Sequence, residues 1–312
     1  MRKITNCFFA TTPYQIMSAI NLAMNSGESS DLYIFNQFAT ADEVAEKVRA
    51  TGLFEKVKVV DNDSTYSKFT KKTKNRNLQT ILFLLELLKC HRSALDVFDK
   101  EDVYEVMYAS VPNLYYRVLQ LHLNKYKTKL YMYDDGLGSY TSILIVRKRK
   151  IDKIVQKVFF HRDLFKESVK YLYSPQLYKQ LNNDDDVIIK IPNMYNDERY
   201  RQIVMGIFGS ETIDEPVIII DTVKDQLMAN EEEIKKAEAM YQYAYDTLGY
   251  NNVVCKRHPR DKSPEDPQKK YMDNSIPFET SLLKITWKTR FSLQSTQQQV
   301  SMPKWFLNNN HW

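Results

Sequence analysis

The chain has 312 residues, 43% of them hydrophobic, which excludes wholesale disorder and leaves room for two packed domains. Lys and Arg number 44 against 39 Asp and Glu, so the net charge of +5 is only mildly basic and does not fit a nucleic-acid-binding composition. The three cysteines, Cys7, Cys90 and Cys255, are widely spaced and make neither a disulfide framework nor a metal-ligand pattern.

The N-terminus moves at once from Met1-Arg2-Lys3 into a strand-like stretch, Ile4 to Ala10, without an apolar leader. Thr11-Thr12-Pro13 then predicts a helix start, with the Thr12 hydroxyl as cap and Pro13 in the first turn. An apolar periodic segment follows from Ile16 to Ala23. Leu32 to Phe35 and Val57 to Val60 read as strands with a helix, Ala41 to Ala50, between them. Lys68, Lys71, Lys72, Lys74 and Arg76 lead into an amphipathic helix over Leu78 to Arg92. That basic stretch reads either as a solvated face or as a contact with an anionic membrane surface, and Arg147-Lys148-Arg149-Lys150 has the same two readings. The longest apolar run, Ile81 to Leu88, contains a glutamate and is too short to span a bilayer.

Val103 to Tyr108 and Lys129 to Tyr133 are further strands, separated by a helix from about Pro112 to Leu123. The alternation predicts an α/β fold with a parallel sheet. The stretch from 150 to 200 reads as basic and helical, then polar. Asn182-Asn183-Asp184-Asp185-Asp186 is read as a solvated loop. The rhythm restarts after Glu215-Pro216. Val217 to Ile220 is a continuous β-branched run, Glu231 to Leu248 a long helix, and Asn252 to Cys255 a strand. Two α/β halves follow, residues 1–205 and 206–312. The 21 tyrosines suit half-buried strand positions, or the stacking of sugars and flat ligands.

Two motifs carry chemistry. Asp134-Asp135-Gly136 ends the run Leu130-Tyr131-Met132-Tyr133. Two adjacent carboxylates repel, which raises one pKa and suits a general base, and Gly136 permits a positive φ. The same tripeptide also reads as a plain turn whose aspartates cap the next segment. Lys256-Arg257-His258-Pro259-Arg260-Asp261-Lys262 follows the strand at Asn252. A histidine among cations suits a phosphate oxyanion, and a solvated basic loop is the alternative. No second His or Cys stands at ligand spacing, so no metal site is expected. Ile276-Pro277-Phe278-Glu279 offers a glutamate to the two hydroxyls of a ribose.

The order Tyr-Asp-Asp-Gly, Lys-x-His-Pro, Pro-Phe-Glu and a hydroxyl pair resembles the bacterial sialyltransferases, and most of all glycosyltransferase family 52, which includes capsular and lipooligosaccharide enzymes. The similarity runs from Thr11-Thr12-Pro13-Tyr14-Gln15 to about Leu283. It implies a GT-B fold, two Rossmann-like domains facing a cleft, and inverting, metal-independent transfer from CMP-sialic acid with no further cofactor. By resemblance, Asp134 is the base that deprotonates the acceptor, supported by Asp135 and Gly136, and His258 contacts the CMP phosphate. Lys256, Pro259, Glu279, Ser295 and Thr296 bind the donor, and Thr12 and Gln15 meet the sialyl group or the acceptor.

Expected partners are a nucleotide-sugar donor, a capsular or lipooligosaccharide glycan that is lipid-linked in one variant, a peripheral contact with the inner membrane face, and a second copy in a homodimer. No nucleic acid is expected, and the location is cytoplasmic. Other nucleotide-sugar GT-B transferases, or an inactive homologue that only binds nucleotide or glycan, remain alternatives. The family pattern is departed from at the end. From about Trp287 the α/β pattern gives way to a Gln- and Asn-rich tail, in which Ser295-Thr296 lacks a helix start. The expectation is a shifted reading frame after about Thr286, which would leave a truncated C-terminal domain.

Overall fold

A computed structural model describes residues 2–60, 97–99, 102–110, 128–136, 139–140, 169–182, 186–193, 196–221, 231–258, 264–284 and 291–294. The chain divides into two units, Met1–Ile207 and Phe208–Trp312.

Unit 1 is organised around β1 (Arg2–Ala10), which lies between β2 (Ser30–Phe35) and β4 (Asp102–Ala109). Strands flanked on both sides and covered on both faces read as continuous apolar runs, and Cys7 to Ala10 and Leu32 to Phe35 are buried without alternation. The order is β3-β2-β1-β4-β5-β6-β7, with β3 at Lys56–Val60, β5 at Lys129–Tyr133, β6 at Val169–Leu172 and β7 at Val187–Lys190. Every pair is parallel; Phe8, for example, lies opposite Leu32 on one side and Tyr108 on the other. This is the Rossmann strand order, in which ligands bind at the C-terminal strand ends.

The helices follow from local signals. α1 (Pro13–Ser26) begins as expected: Thr12 is extended, its hydroxyl accepts from the Gln15 N–H at 3.2 Å, and Pro13 takes the first turn. It ends at Gly27, whose φ of 64° lets its N–H bond the Ala23 carbonyl. α2 (Ala41–Ala50) buries Val44, Ala45 and Val48 and carries Asp42 and Glu43 in its first turn. The core between the sheet and its cover is aromatic. Phe8 stacks on Tyr108 at 4.6 Å, and Phe9 packs with Tyr33, Phe35 and Phe98. Each such ring contributes about 1.5–3 kcal/mol through burial. At the opposite, N-terminal end of the strands, the Tyr104 hydroxyl donates to buried Asp31 at 2.7 Å and lies 2.8 Å from the Tyr33 hydroxyl.

β6 and β7, with α3 (Pro175–Leu181) between them, lie in the stretch read only as helical and then polar. Asp186, taken as part of a solvated loop, instead forms a half-buried ion pair with Lys170 of β6 at 2.6 Å. α4 (Glu198–Phe208) carries the chain to the unit boundary.

Unit 2 holds a second parallel sheet, β10-β9-β8-β11, from Lys270–Tyr271, Val253–Lys256, Val217–Ile220 and Phe291–Gln294. Its two faces are separate cores. Val217 and Ile219 pack with Val253, Cys255 and Tyr245 of α5 (Glu231–Leu248), and Ile218 and Val254 pack with Ile213 and Met272. A short helix, α6 (Phe278–Leu282), follows β10. Two parallel-sheet α/β units in one chain are the GT-B plan. β11 corrects the expectation that the α/β pattern ends near Trp287, because residues 291–294 pair in parallel with β8. The expected helices over Leu78 to Arg92 and Pro112 to Leu123, and both basic stretches, lie outside the described residues.

Candidate active site

Asp134 stands at the C-terminal end of β5, one residue beyond Tyr133, whose hydroxyl donates to the Phe9 carbonyl of β1 at 2.5 Å. The turn that follows is built on the motif itself. The Gly136 N–H donates to Asp134 Oδ1 at 2.7 Å, the Asp135 N–H donates to Ser139 Oγ at 2.7 Å, and the Ser139 N–H closes on the Gly136 carbonyl at 3.0 Å. Gly136 has φ of 80°, the left-handed region that a side chain would strain.

Asp134 is only 1% exposed and is surrounded by donors. Oδ2 accepts from the Tyr140 hydroxyl and, at 3.1 Å, from the Tyr173 N–H just beyond β6. Oδ1 takes the Gly136 N–H and, at 3.4 Å, the Tyr14 hydroxyl from the first turn of α1. The Tyr140 oxygen is itself fixed by the Ser174 N–H at 3.1 Å. Burial pushes the Asp134 carboxyl above the ordinary carboxylate range, and the four donors oppose that only in part. The buried Tyr140 hydroxyl is held far above its usual value, so it acts as a donor at any working pH.

Asp135 is half-buried and makes a different set of contacts. Its Oδ1 accepts from Gln15 Nε2 at 2.6 Å, and among the described residues its Oδ2 accepts no hydrogen bond. Burial raises its pKa to about 6, with the Gln15 contact lowering it and the Asp134 charge raising it. Sequence reasoning placed Thr12 and Gln15 against a ligand. The structure occupies both internally: the Thr12 hydroxyl caps α1, and the Gln15 amide, 2% exposed, spans from Thr11 to Asp135. Tyr14 falls inside the Thr11 to Gln15 segment read against a ligand, whereas Tyr140 and Tyr173 carry no expected role. Tyr140 lies within reach of the motif by number alone, whereas Tyr173 meets Asp134 only through the pairing of β5 with β6.

In unit 2, β9 ends at Lys256, and Arg257 and half-buried His258 follow. Lys256 is 5% exposed, and its Nζ donates to the carbonyls of Asp273 at 2.5 Å and Ile276 at 2.7 Å. It thus staples the loop that leads into α6, a use that differs from the donor contact expected of it. Burial pulls its pKa down, and the charges of Glu211, Asp273 and Glu279 push it back up. The loop held by Lys256 delivers Glu279 in the first turn of α6, where burial raises its carboxyl pKa. Lys256 and Glu279 are therefore close enough for each charge to influence the other beside the C-terminal end of β9. Arg257, also buried, pairs with Glu265 at 3.4 Å and lies over the Tyr271 ring. Pro259, Ser295 and Thr296 lie outside the described residues; the last two follow β11 directly in sequence.

Among the described residues no group of three or more His, Cys, Asp or Glu stands close enough to hold a metal, and no helix is long and apolar enough to cross a membrane. A profile of the alpha-2,8-polysialyltransferase family matches residues 6–297, nearly the whole chain and both motifs. The chain belongs to the alpha-2,8-polysialyltransferase family.

Membership in this polysialyltransferase family makes the chain an enzyme, a glycosyltransferase of sialyltransferase type. It bears out the resemblance to bacterial sialyltransferases, without extending to the family number 52. No curated protein matches the chain. Solved structures similar to this polysialyltransferase-family chain include the calicheamicin glycosyltransferase CalG4, 14% identical, TM-score 0.47, with 94% of this chain and 75% of that one covered. A putative UDP-N-acetylglucosamine 2-epimerase from Listeria monocytogenes is 12% identical, TM-score 0.45, with coverage of 86% and 64%. The glycosyltransferase SnogD from Streptomyces nogalater is 12% identical, TM-score 0.44, with coverage of 89% and 75%.

Proposed function

We propose that the enzyme transfers sialic acid from CMP-sialic acid to the terminal sugar of a cell-surface glycan, with inversion and without a metal. The observation that carries this reading is the family match over residues 6–297, which takes in both the Asp134-Asp135-Gly136 turn and the Lys256 to Glu279 region. The family description points further, to a sialoside acceptor and an α2,8 linkage. In the reaction the acceptor hydroxyl attacks the anomeric carbon of the sialyl group, its proton passes to a carboxylate, and the bond to the CMP phosphate breaks. The buried carboxylate of Asp134, with its raised pKa, suits the base. Of its four donors, Tyr14 makes the longest contact, at 3.4 Å, so Oδ1 is the oxygen at which an acceptor hydroxyl exchanges most readily for an existing partner. His258, beyond the β9 tip, takes the phosphate together with Ser295 and Thr296, and Glu279 takes the ribose. Acceptors are capsular or lipooligosaccharide chains presented on the cytoplasmic side, in lipid-linked form, to a peripherally bound enzyme.

A second assignment of the base rests on one contact. Asp135 Oδ2 accepts no hydrogen bond among the described residues, and the Asp135 pKa near 6 also suits a base. Release of CMP and growth of a sialoside acceptor test both assignments. Asp134→Asn is expected to lower transfer by about a hundredfold or more while sparing CMP binding. A larger loss in Asp135→Asn moves the base to Asp135. No CMP release with any sialoside or galactoside rejects the function.

A further inference from the structure

The Gln15 amide can be oriented in one way only. Its Oε1 lies 2.6 Å from the Thr11 backbone nitrogen and 3.0 Å from the Thr11 hydroxyl. A backbone N–H can only donate, so the amide oxygen must face Thr11. The amide nitrogen then necessarily points at Asp135 Oδ1, 2.6 Å away, and donates to it. The side chain is buried in the first turn of α1, where the Thr12 cap fixes the backbone, so the amide has little freedom to turn elsewhere.

We infer that Gln15 is a positioning residue: its amide bridges the β1–α1 turn to Asp135 and holds that carboxylate ionised, in one orientation, beside Asp134. The inference rests on the transferase reading given above. A donor fixed on one oxygen favours the charged form of a carboxylate. It also turns the second oxygen, Oδ2, away from Gln15. The titratable groups that face the pair are Asp134 and Asp135 themselves at the β5 tip, Tyr14 from α1 and Tyr140 from the turn; Tyr173, beyond β6, offers its backbone N–H to Asp134, while its hydroxyl accepts from Asn21 at 3.2 Å. Burial drives the Asp135 pKa upward and the Asp134 charge adds to that; the Gln15 contact is the opposing influence. Without it, Asp135 takes up a proton nearer neutral pH, and the pair loses the doubly ionised form in which one carboxylate accepts the acceptor proton while the other stays charged.

Two variants of the full chain test this. Gln15→Met keeps the length and helix preference of the side chain and removes the donor. Gln15→Glu keeps the contact to the Thr11 N–H and sets an oxygen against Asp135. The Asp135 carboxyl carbon is followed by carbon-13 NMR against pH, assigned by its loss in Asp135→Asn, and the acid limb of kcat/KM is measured alongside. The expected result is an Asp135 midpoint raised by about one pH unit in Gln15→Met. A larger rise is expected in Gln15→Glu, with the acid limb moving in the same order and the KM for CMP-sialic acid unchanged. Midpoints unchanged in both variants overturn the inference, whatever the activity. Midpoints that move while the acid limb stays put overturn the positioning role. Wild-type protein with no transfer activity rejects the proposed function instead, and it is recognised separately because the NMR titration needs no substrate.

Discussion

Replacing Asp135 by Asn should make the protein more stable, and the gain should appear only above about pH 4. Burial raises the Asp135 pKa from its ordinary 3.8 to about 6. Between those values the folded chain binds the proton that the unfolded chain has lost. The contribution to stability is therefore full below about pH 4 and is lost as pH rises through 6. At about 1.4 kcal/mol per unit, the shift corresponds to roughly 3 kcal/mol withheld at neutral pH. The asparagine amide mimics the protonated acid at every pH, and its carbonyl can still accept from Gln15. The difference between variant and wild type should be near zero at pH 4, grow through pH 5, and level off above pH 6. For a unit of this size about 3 °C accompanies each kcal/mol, so the unit 1 melting transition should rise by roughly 9 °C at pH 8. Thermal melts of both proteins from pH 4 to 8 measure it, and the other carboxylates cancel in the difference. Parallel curves at every pH, or a variant less stable at pH 8, would refute the reasoning.

Lys256→Met should lower the unit 2 melting transition, because it strips two carbonyls of their donor; a loss of about 3 kcal/mol is expected by calorimetry. Thr12→Ala removes only the α1 cap and should cost about 1 kcal/mol by denaturant titration, with CMP binding unchanged. Tyr140→Phe deprives Asp134 of a donor and the Ser174 N–H of its acceptor. It should cost about 2 kcal/mol of stability and lower the rate of CMP release in the same preparation.

What could be read from the sequence was what lies close in the chain. Thr12 before Pro13 announces a helix start, the run from Val217 to Ile220 announces a strand buried on both faces, and the glycine at 136 announces a turn. β6 and β7 gave no such signal. Lys170 interrupts β6 and is tolerated there because Asp186 pairs with it, while β7 is a largely exposed edge strand in which Val187 and Ile189 face solvent, so no alternation arises. The residues around Asp134 divide in the same way. The Gly136 contact is encoded within the motif, but the Tyr14 and Tyr173 contacts exist only once the parallel sheet brings the C-terminal ends of β1, β5 and β6 to one edge, with β4 between the first two. For Lys256 the sequence carries no sign that two carbonyls from the loop beyond β10 accept from it, because those partners lie 17 and 20 residues away.

The pairing of β8 with β11 has a consequence for translation. Val217 to Ile220 leave the ribosome early in the synthesis of unit 2, and β9 offers them one neighbour, but the other flank stays open until Phe291 to Gln294 emerge. At about 5–20 residues per second the wait lasts several seconds. During it a run of one valine and three isoleucines presents unpaired backbone, the kind of edge that recruits a neighbouring chain. Any stall or release ahead of Phe291 turns that delay into a lasting invitation to aggregate.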